Sequence, residues 1–449
     1  MKIQLSDHFN YKKLFRFVMP SIFMMVFISV YGVVDGLFVS HFVGKTAFAS
    51  INFVFPFVML LGGMGFMVGT GGSALVAKTL GEGDKERANK YFSMMIIFTV
   101  LFGVILTVFG VTFIRPISYF LGASDGMIED CVTYGRIVIL FTTAFMLQNV
   151  FQSFLIVAEK PELGLFATLA AGITNMLLDF LFVAVFKMGV SGAALATGIS
   201  QCIGAFLPLV YFILPNPSLL RFRLTMLEFM PIIRACANGS SELMNNISSS
   251  FVGMLYNFQL MNYIGEDGVS AYGALLYVQF IFIAIYIGYV IGVSPIISYN
   301  FGSKNTVELR GIFKKSITVM LSLGVVLTAL ALSLAGVLAY CFVGYDAALF
   351  ELTKHAFYLF SASFLLAGFN IFASSLFTAL NNGLVSAIIS FLRTLVFQSA
   401  AVLVLPLIFD ADGIWLSVII AEIFATVISV AFILNKNNQY GYFLPKSKQ

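Results

Sequence analysis

Charge is what this 449-residue chain most lacks: only 10% of its residues are Asp, Glu, Lys or Arg, against about 25% in an ordinary soluble domain. With 60% hydrophobic residues as well, a water-soluble globule is excluded and an integral membrane protein is implied. Histidine is equally scarce. His8, His41 and His355 fall outside the predicted membrane core and no HExxH pattern occurs, so a zinc protease finds no support. Cys131, Cys202, Cys236 and Cys341 show no CxxC spacing and read as small apolar residues. The net charge of +4 sits in loops and reflects topology, so no nucleic-acid partner is expected. Residues 62–72, GGMGFMVGTGG, have no phosphate-loop lysine; Gly65 and Gly69, at four-residue spacing, instead suit close helix packing. The first seventeen residues lack a short apolar core before a cleavage site, so no signal peptide is expected.

What the chain does have is apolar runs of membrane length. Spans of about 20 residues are predicted at 15–38, 51–77, 92–114, 132–157, 165–186, 190–214, 232–263, 275–298, 312–342, 357–380, 387–409 and 414–434. With the amino terminus inside, only Lys45, Arg115, Arg136, Lys187 and Lys354 of the 25 Lys and Arg residues fall outside. Basic residues are retained on the cytoplasmic side, so both termini are expected there. Kinks are expected where prolines interrupt spans, at Pro20, Pro56, Pro208 and Pro295.

The chain is also written twice. Gly44 and Gly265, Ser73 and Ser294, Gly81 and Gly302, Ala158 and Ala379, and Gly192 and Gly413 all stand 221 positions apart. SALVAKTLGEGDK from Ser73 answers SPIISYNFGSKNT from Ser294. The expected fold is all-α: twelve transmembrane helices in two six-helix lobes, residues 1–217 and 218–449, related by a pseudo-two-fold axis along the membrane normal. A linker near residues 215–231 is the expected hinge between them, and ligand sites are expected at the repeat interface.

Four acids fall well inside predicted spans: Asp35, Asp179, Glu242 and Glu422. Each costs about 2.5–3.5 kcal/mol at the bilayer centre on insertion scales, so each should face a cavity or a partner. Asn175 precedes Asp179 by one turn, and Tyr31 precedes Asp35 by one turn, so each pair shares a helix face. Such oxygens suit Na+, or a proton held in a hydrogen-bonded network, because burial disfavours the charged carboxylate; a structural hydrogen-bond pair is the alternative. At the repeat offset Asp35 maps to Tyr256, Asn175 to Val396, Asp179 to Ala400 and Thr197 to Val418, which confines the constellation to the first half.

In these residues the whole chain resembles the multidrug and toxic compound extrusion (MATE) family, in its DinF/MepA-type bacterial branch. That family has a proline-bent first helix bearing an Asp, matched by Pro20 and Asp35 with Tyr31 between. Its fifth helix carries an Asn and an Asp one turn apart, matched by Asn175 and Asp179, and its sixth supplies a Thr, matched by Thr197. The resemblance implies cation-coupled multidrug efflux from a bacterial cytoplasmic membrane, with Pro20 as hinge. Asp35, Asn175, Asp179 and Thr197 would also be the metal ligands if Na+ is the coupling ion. It implies no cofactor beyond H+ or Na+.

Glu242 sits in SSELMNNISSS, polar enough to line a cavity, where a substrate or ion role competes with an internal salt bridge. Met64 and Met244 join it as expected substrate contacts, since thioethers accommodate varied apolar cations. Glu422 is as well placed to pair with Arg393 as to serve function. A lipid-linked oligosaccharide flippase is the alternative function, but it would line its cleft with several Arg and Lys, which this interior lacks. A membrane-embedded enzyme and a passive channel fit less well. The expected partners are lipophilic, often cationic, small molecules and the bilayer, with the protein a monomer.

Overall fold

The computed structural model describes residues 3–443 except Gly44, Gly122 and Ser124, and omits the side chains of residues 37, 39, 40, 45–49, 52 and 121. Gly44 of the repeat, and Lys2, Lys446, Lys448 and the Lys45 side chain of the charge count, lie outside the described residues.

Among the described residues twelve helices follow one another: α1 (Tyr11–Phe42), α2 (Lys45–Gly81), α3 (Lys85–Leu121) and α4 (Ile128–Leu140 continued by Thr142–Val157). Next come α5 (Pro161–Val185), α6 (Gly189–Ile213), α7 (Phe229–Tyr263) and α8 (Glu266–Gly302). The last four are α9 (Thr306–Val343), α10 (Ala347–Ala379), α11 (Gly383–Val404) and α12 (Pro406–Tyr440). Ten are individually long and apolar enough to cross a bilayer, and the two pieces of α4, bent by 52°, qualify together. The remaining helix, α7, is 35 residues long but carries SSELMNNISSS in its middle. Its apolar side chains Ile247, Phe251, Met254, Phe258 and Met261 recur at helical spacing on an exposed face. Its polar residues turn inward, where the helix packs against α2 and α11.

The helices run unbroken through Pro20, Pro56, Pro208 and Pro295. One sharp bend is at Phe141, where no proline stands: its φ and ψ of −97° and 6° leave the helical region, and its N–H bonds to the Val138 carbonyl three residues back. A second kink interrupts the first turns of α12 at Phe409 and Asp410, where Asp410 has a φ of 49°. Pro231 belongs to the first turn of α7 and not to the linker, a position where a missing N–H leaves no bond unmade.

Matching turns confirm the repeat and correct its register. Asp84 accepts from Arg87 N, and Asn305, 221 positions later, accepts from Glu308 N, so each caps the helix that follows. The preceding residues, Gly83 and Lys304, both have positive φ, 89° and 57°. At the next equivalent turn the positive-φ residues are Glu159 and Asn381, with identical hydrogen-bond patterns, and these stand 222 apart. The offset is therefore not constant. The second half has one more residue between the two turns, where α4 breaks at Phe141 alone and α10 passes through a tight turn at Ser361–Ser363. Counted from the second turn, the mate of Asp179 is Ala401 rather than Ala400.

Four apolar cores show where the halves join. One buries Leu14, Phe17 and Val18 of α1 among α8, α9, α10 and α12; another buries Ile232 and Ala235 of α7 among α2, α3, α4 and α6. Each half thus takes the start of the other's first helix. The remaining two cores, at the opposite end, stay within one half each. Glycines let the joined ends touch backbone to backbone: a Cβ on Gly81 would overlap the Tyr299 carbonyl, and one on Gly302 the Lys78 carbonyl. Gly71 meets Ala235 and Gly239 meets Met67 in the same way. The segment before α1 bridges both halves, Leu5 N donating to Glu159 (2.8 Å) and Phe9 N to Glu308 (2.9 Å). Arg221 N and Arg223 N of the linker donate to Asn89 and Ser93 of α3.

Candidate functional site

In the first half, α5 crosses α1 where Gly172 stands, since a Cβ there would overlap the Phe27 ring. Beyond this contact Asn175 and Asp179 are buried, at 2% and 0% exposure. Asp179 is the last α-helical residue before a wider π turn at Phe180–Val185, a distortion frequent at functional positions. Across from it, Asp35 of α1 is half-buried, and the two carboxyl groups face each other. Among the described residues no partner donates to either Asp179 carboxyl oxygen or to Asp35 Oδ1, and Asn175 Oδ1 likewise accepts no bond. Two facing carboxylates repel; a shared proton or a cation between them removes the repulsion. Among the described residues no three His, Cys, Asp or Glu side chains converge, so a bound ion would rest on two carboxylates and neutral oxygens, which fits a proton or Na+.

Tyr31 lies beside Asp35, as its spacing implies. Tyr134 of α4, buried and within electrostatic reach of both acids, completes the surroundings. Nothing local marks it, because its acidic neighbours come from α1 and α5. Thr197 is half-buried on α6; its carbonyl accepts from Ser200, and no hydrogen bond among the described residues joins its hydroxyl to the acids. Pro20 lies about 22 Å along α1 from Asp35, next to the crossing where Gly288 of α8 meets Ser21 and Ile22.

A cavity of about 530 Å³ lies between the halves, walled mainly by α7, α8, α10 and α11. Glu242, Asn245, Asn246, Ser249, Val252 and Tyr256 line it from α7, at i, i+3, i+4, i+7, i+10 and i+14. Met244 is off this face and is not among the lining residues; neither is Met64, since α2 contributes Phe66, Thr70, Ser73 and Ala74. The methionine that does line the cavity is Met25. Glu422 is paired: Arg393 Nε and Nη2 donate to its two carboxyl oxygens at 2.6–3.1 Å, and Asn370 Nδ2 donates to Oε2 at 2.6 Å.

The sequence model of the MatE family matches residues 20–181 and 243–402, most of both halves, taking in Asp35 and Asp179 but not Glu422 or, by one residue, Glu242. The chain belongs to the MatE family. It is accordingly a multi-pass membrane transporter and not an enzyme. Multidrug export protein MepA of Staphylococcus saprophyticus is 23% identical over 413 residues, 90% of this chain and 88% of that one. The protein of the same name from Staphylococcus aureus is 23% identical over 417 residues, 92% of this chain and 91% of the relative. A solved MATE family multidrug resistance transporter of the MOP superfamily, in an outward-facing conformation, superposes with a TM-score of 0.92 at 20% identity, covering 98% of both chains. That likeness carries the fold of the family: twelve helices in two six-helix lobes.

Proposed function

We propose that this MatE-family transporter exports lipophilic, often cationic drugs across the cytoplasmic membrane by alternating access, as a monomer with lobes 1–217 and 218–449 and both termini inside. Efflux is driven by H+ or Na+ entering at Asp35 and Asp179. The observation that carries this reading is the buried Asp179 carboxyl facing that of half-buried Asp35, with three of their four oxygens lacking a described donor. Taking up a proton or cation removes their repulsion and biases one conformation over another. The similarity to proteins named multidrug export protein MepA supports the drug as cargo. On the positive-inside assignment, the halves are sealed at the cytoplasmic end and the cavity faces outward. The flippase reading is weakened further, because Arg393 is the single basic residue among the described residues that line the cavity and is tied to Glu422.

Dye efflux from proteoliposomes under separately imposed proton and sodium gradients tests the reading. Transport of ethidium driven by one gradient is expected; equilibration at the same rate without either gradient would reduce the protein to a passive pore. A reporter placed at Asp125 is expected outside the cell.

A further inference from the structure

We infer that the linker joining the two halves, together with the first turns of α7, is a docking surface for anionic phospholipid headgroups of the leaflet in which it lies, so that the connection between the halves is held by lipid. Residues 218–234 read SLLRFRLTMLEFMPIIR, three arginines against one acid. That acid, Glu228, is already paired with Lys90 of α3, and Asp84 and Glu86 nearby are matched in number by Lys85 and Arg87 on the same turn. Arg223 and Arg234 are exposed, and their guanidinium groups bond to nothing among the described residues. Arg221 reaches only the Asn216 carbonyl, at 3.4 Å. The apolar residues between them are not hidden as they would be in a soluble loop. Leu220 is buried and Phe222 packs with it on the core shared with α3, yet Leu224 is 90% exposed and Met226 87%. Phe229 with Ile233, and Met230 with Arg234, each pair one turn apart, continue that exposed surface onto α7. Large apolar side chains left open beside unpaired arginines are the composition of an element lying in a membrane surface.

The depth of the linker agrees. Its hydrogen bonds from Arg221 N and Arg223 N to Asn89 and Ser93 lay it along the first turns of α3. The exposed apolar face of α3 opens at Val100 and Leu101, about 10 Å further along the helix from Ser93. The headgroup layer on one side of a bilayer is of similar thickness, roughly 5–8 Å. Arg223 thus stands at the level of the lipid phosphates, with Leu224 and Met226 free to dip toward the hydrocarbon. A guanidinium meets a phosphate through two parallel N–H donors. A zwitterionic headgroup offers the same phosphate with its charge already balanced, so the unpaired arginines select the anionic one.

The test places a fluorophore on the surface with Met226→Trp in the full-length protein, reconstituted in nanodiscs of equal parts phosphatidylglycerol and phosphatidylcholine. Trp415, the one native tryptophan, is fully buried, so the unsubstituted protein supplies the blank. Bromine, a contact quencher, is carried on the acyl chains of one lipid or the other, which leaves the composition of the disc unchanged. Both leaflets are alike, so the result does not depend on which way the protein faces in a cell. Brominated phosphatidylglycerol is expected to quench about fivefold more strongly than brominated phosphatidylcholine, the preference that one basic side chain gives near an anionic surface. Adding Arg223→Gln and Arg234→Gln should bring that ratio close to one, while quenching by both lipids together persists and shows the linker still in the bilayer. Equal quenching by the two lipids before the arginines are changed, or a ratio that the arginine substitutions leave intact, overturns the inference. Quenching by neither lipid overturns it too, and gives the surface to a soluble partner or a second copy of the chain.

Discussion

The amino half buries two acids against each other, and the carboxyl half buries an acid against a base. Asp35 and Asp179 meet with three of their four carboxyl oxygens lacking a described donor, while Glu422 is held by Arg393 and Asn370. The first arrangement is complete only with something added to it; the second is complete as built. An element whose stability depends on a mobile ion can be biased by that ion's gradient, whereas a satisfied pair has no reason to change state. On the proposed coupling, the repeated scaffold carries a switch in one half and a fixed charge in the other. Where the backbone pattern is most alike, at the capped turns and the Gly81–Gly302 crossing, the side chains carry no such division.

The largest expected effect follows from that contrast. Asp35→Asn and Asp179→Asn keep size but remove the titrating charge, so gradient-driven dye efflux should fall to the level of empty liposomes while the protein still inserts and folds. Wild-type efflux from both variants would break the comparison and move ion coupling to Glu242.

In the carboxyl half the same kind of change should act on stability first. Arg393→Leu strands the buried Glu422 charge and is expected to cost about 3–5 kcal/mol, read as a lowered denaturation midpoint. Arg393→Met with Glu422→Leu should recover most of that loss, since a buried pair is often replaceable by apolar residues of similar volume. If the single variant is as stable as wild type, the pair is not the closed unit described here.

A smaller effect, and an equal one in both halves, is expected at the symmetric crossing. Gly81→Val and Gly302→Val each push a side chain into the partner helix's backbone, at about 1–3 kcal/mol. Spin labels at Glu86 and Val307, on the equivalent helix starts, should report longer separations in each variant. A shift in one variant only would mean that the crossing is not symmetric in energy.

What could be read without coordinates follows from local pattern. The twelve spans, the polar stripe of α7 and the one-turn pairs Tyr31–Asp35 and Asn175–Asp179 depend on hydropathy and helical spacing alone. Tyr134 could not be read, because its acidic neighbours lie on other helices, and Asn370 became a partner of Glu422 only when α10 met α12. Met25 took the place expected of Met64 and Met244 because choosing a lining residue needs the rotational phase of each helix, which composition does not supply. The repeat was legible, but its one-residue slip after the first turn was not, since isolated glycine matches at 221 remain common by composition on either side of it.

That slip gives the smallest expected effect. Counted from Glu159 and Asn381, Ala401 is the mate of Asp179, and it is 8% exposed in an apolar stretch of α11. Ala401→Ser adds one hydroxyl that can bond the carbonyl four residues back within its own helix, so no polar group is left unmet. Stability should change by no more than about 0.5 kcal/mol, within the range of mild substitutions, and the ion dependence of efflux should not change at all. Ala400→Ser should behave likewise. Were Ala401→Ser to alter which gradient drives transport, the carboxyl half would share in the ion step, and the division of labour between the halves would have to be redrawn.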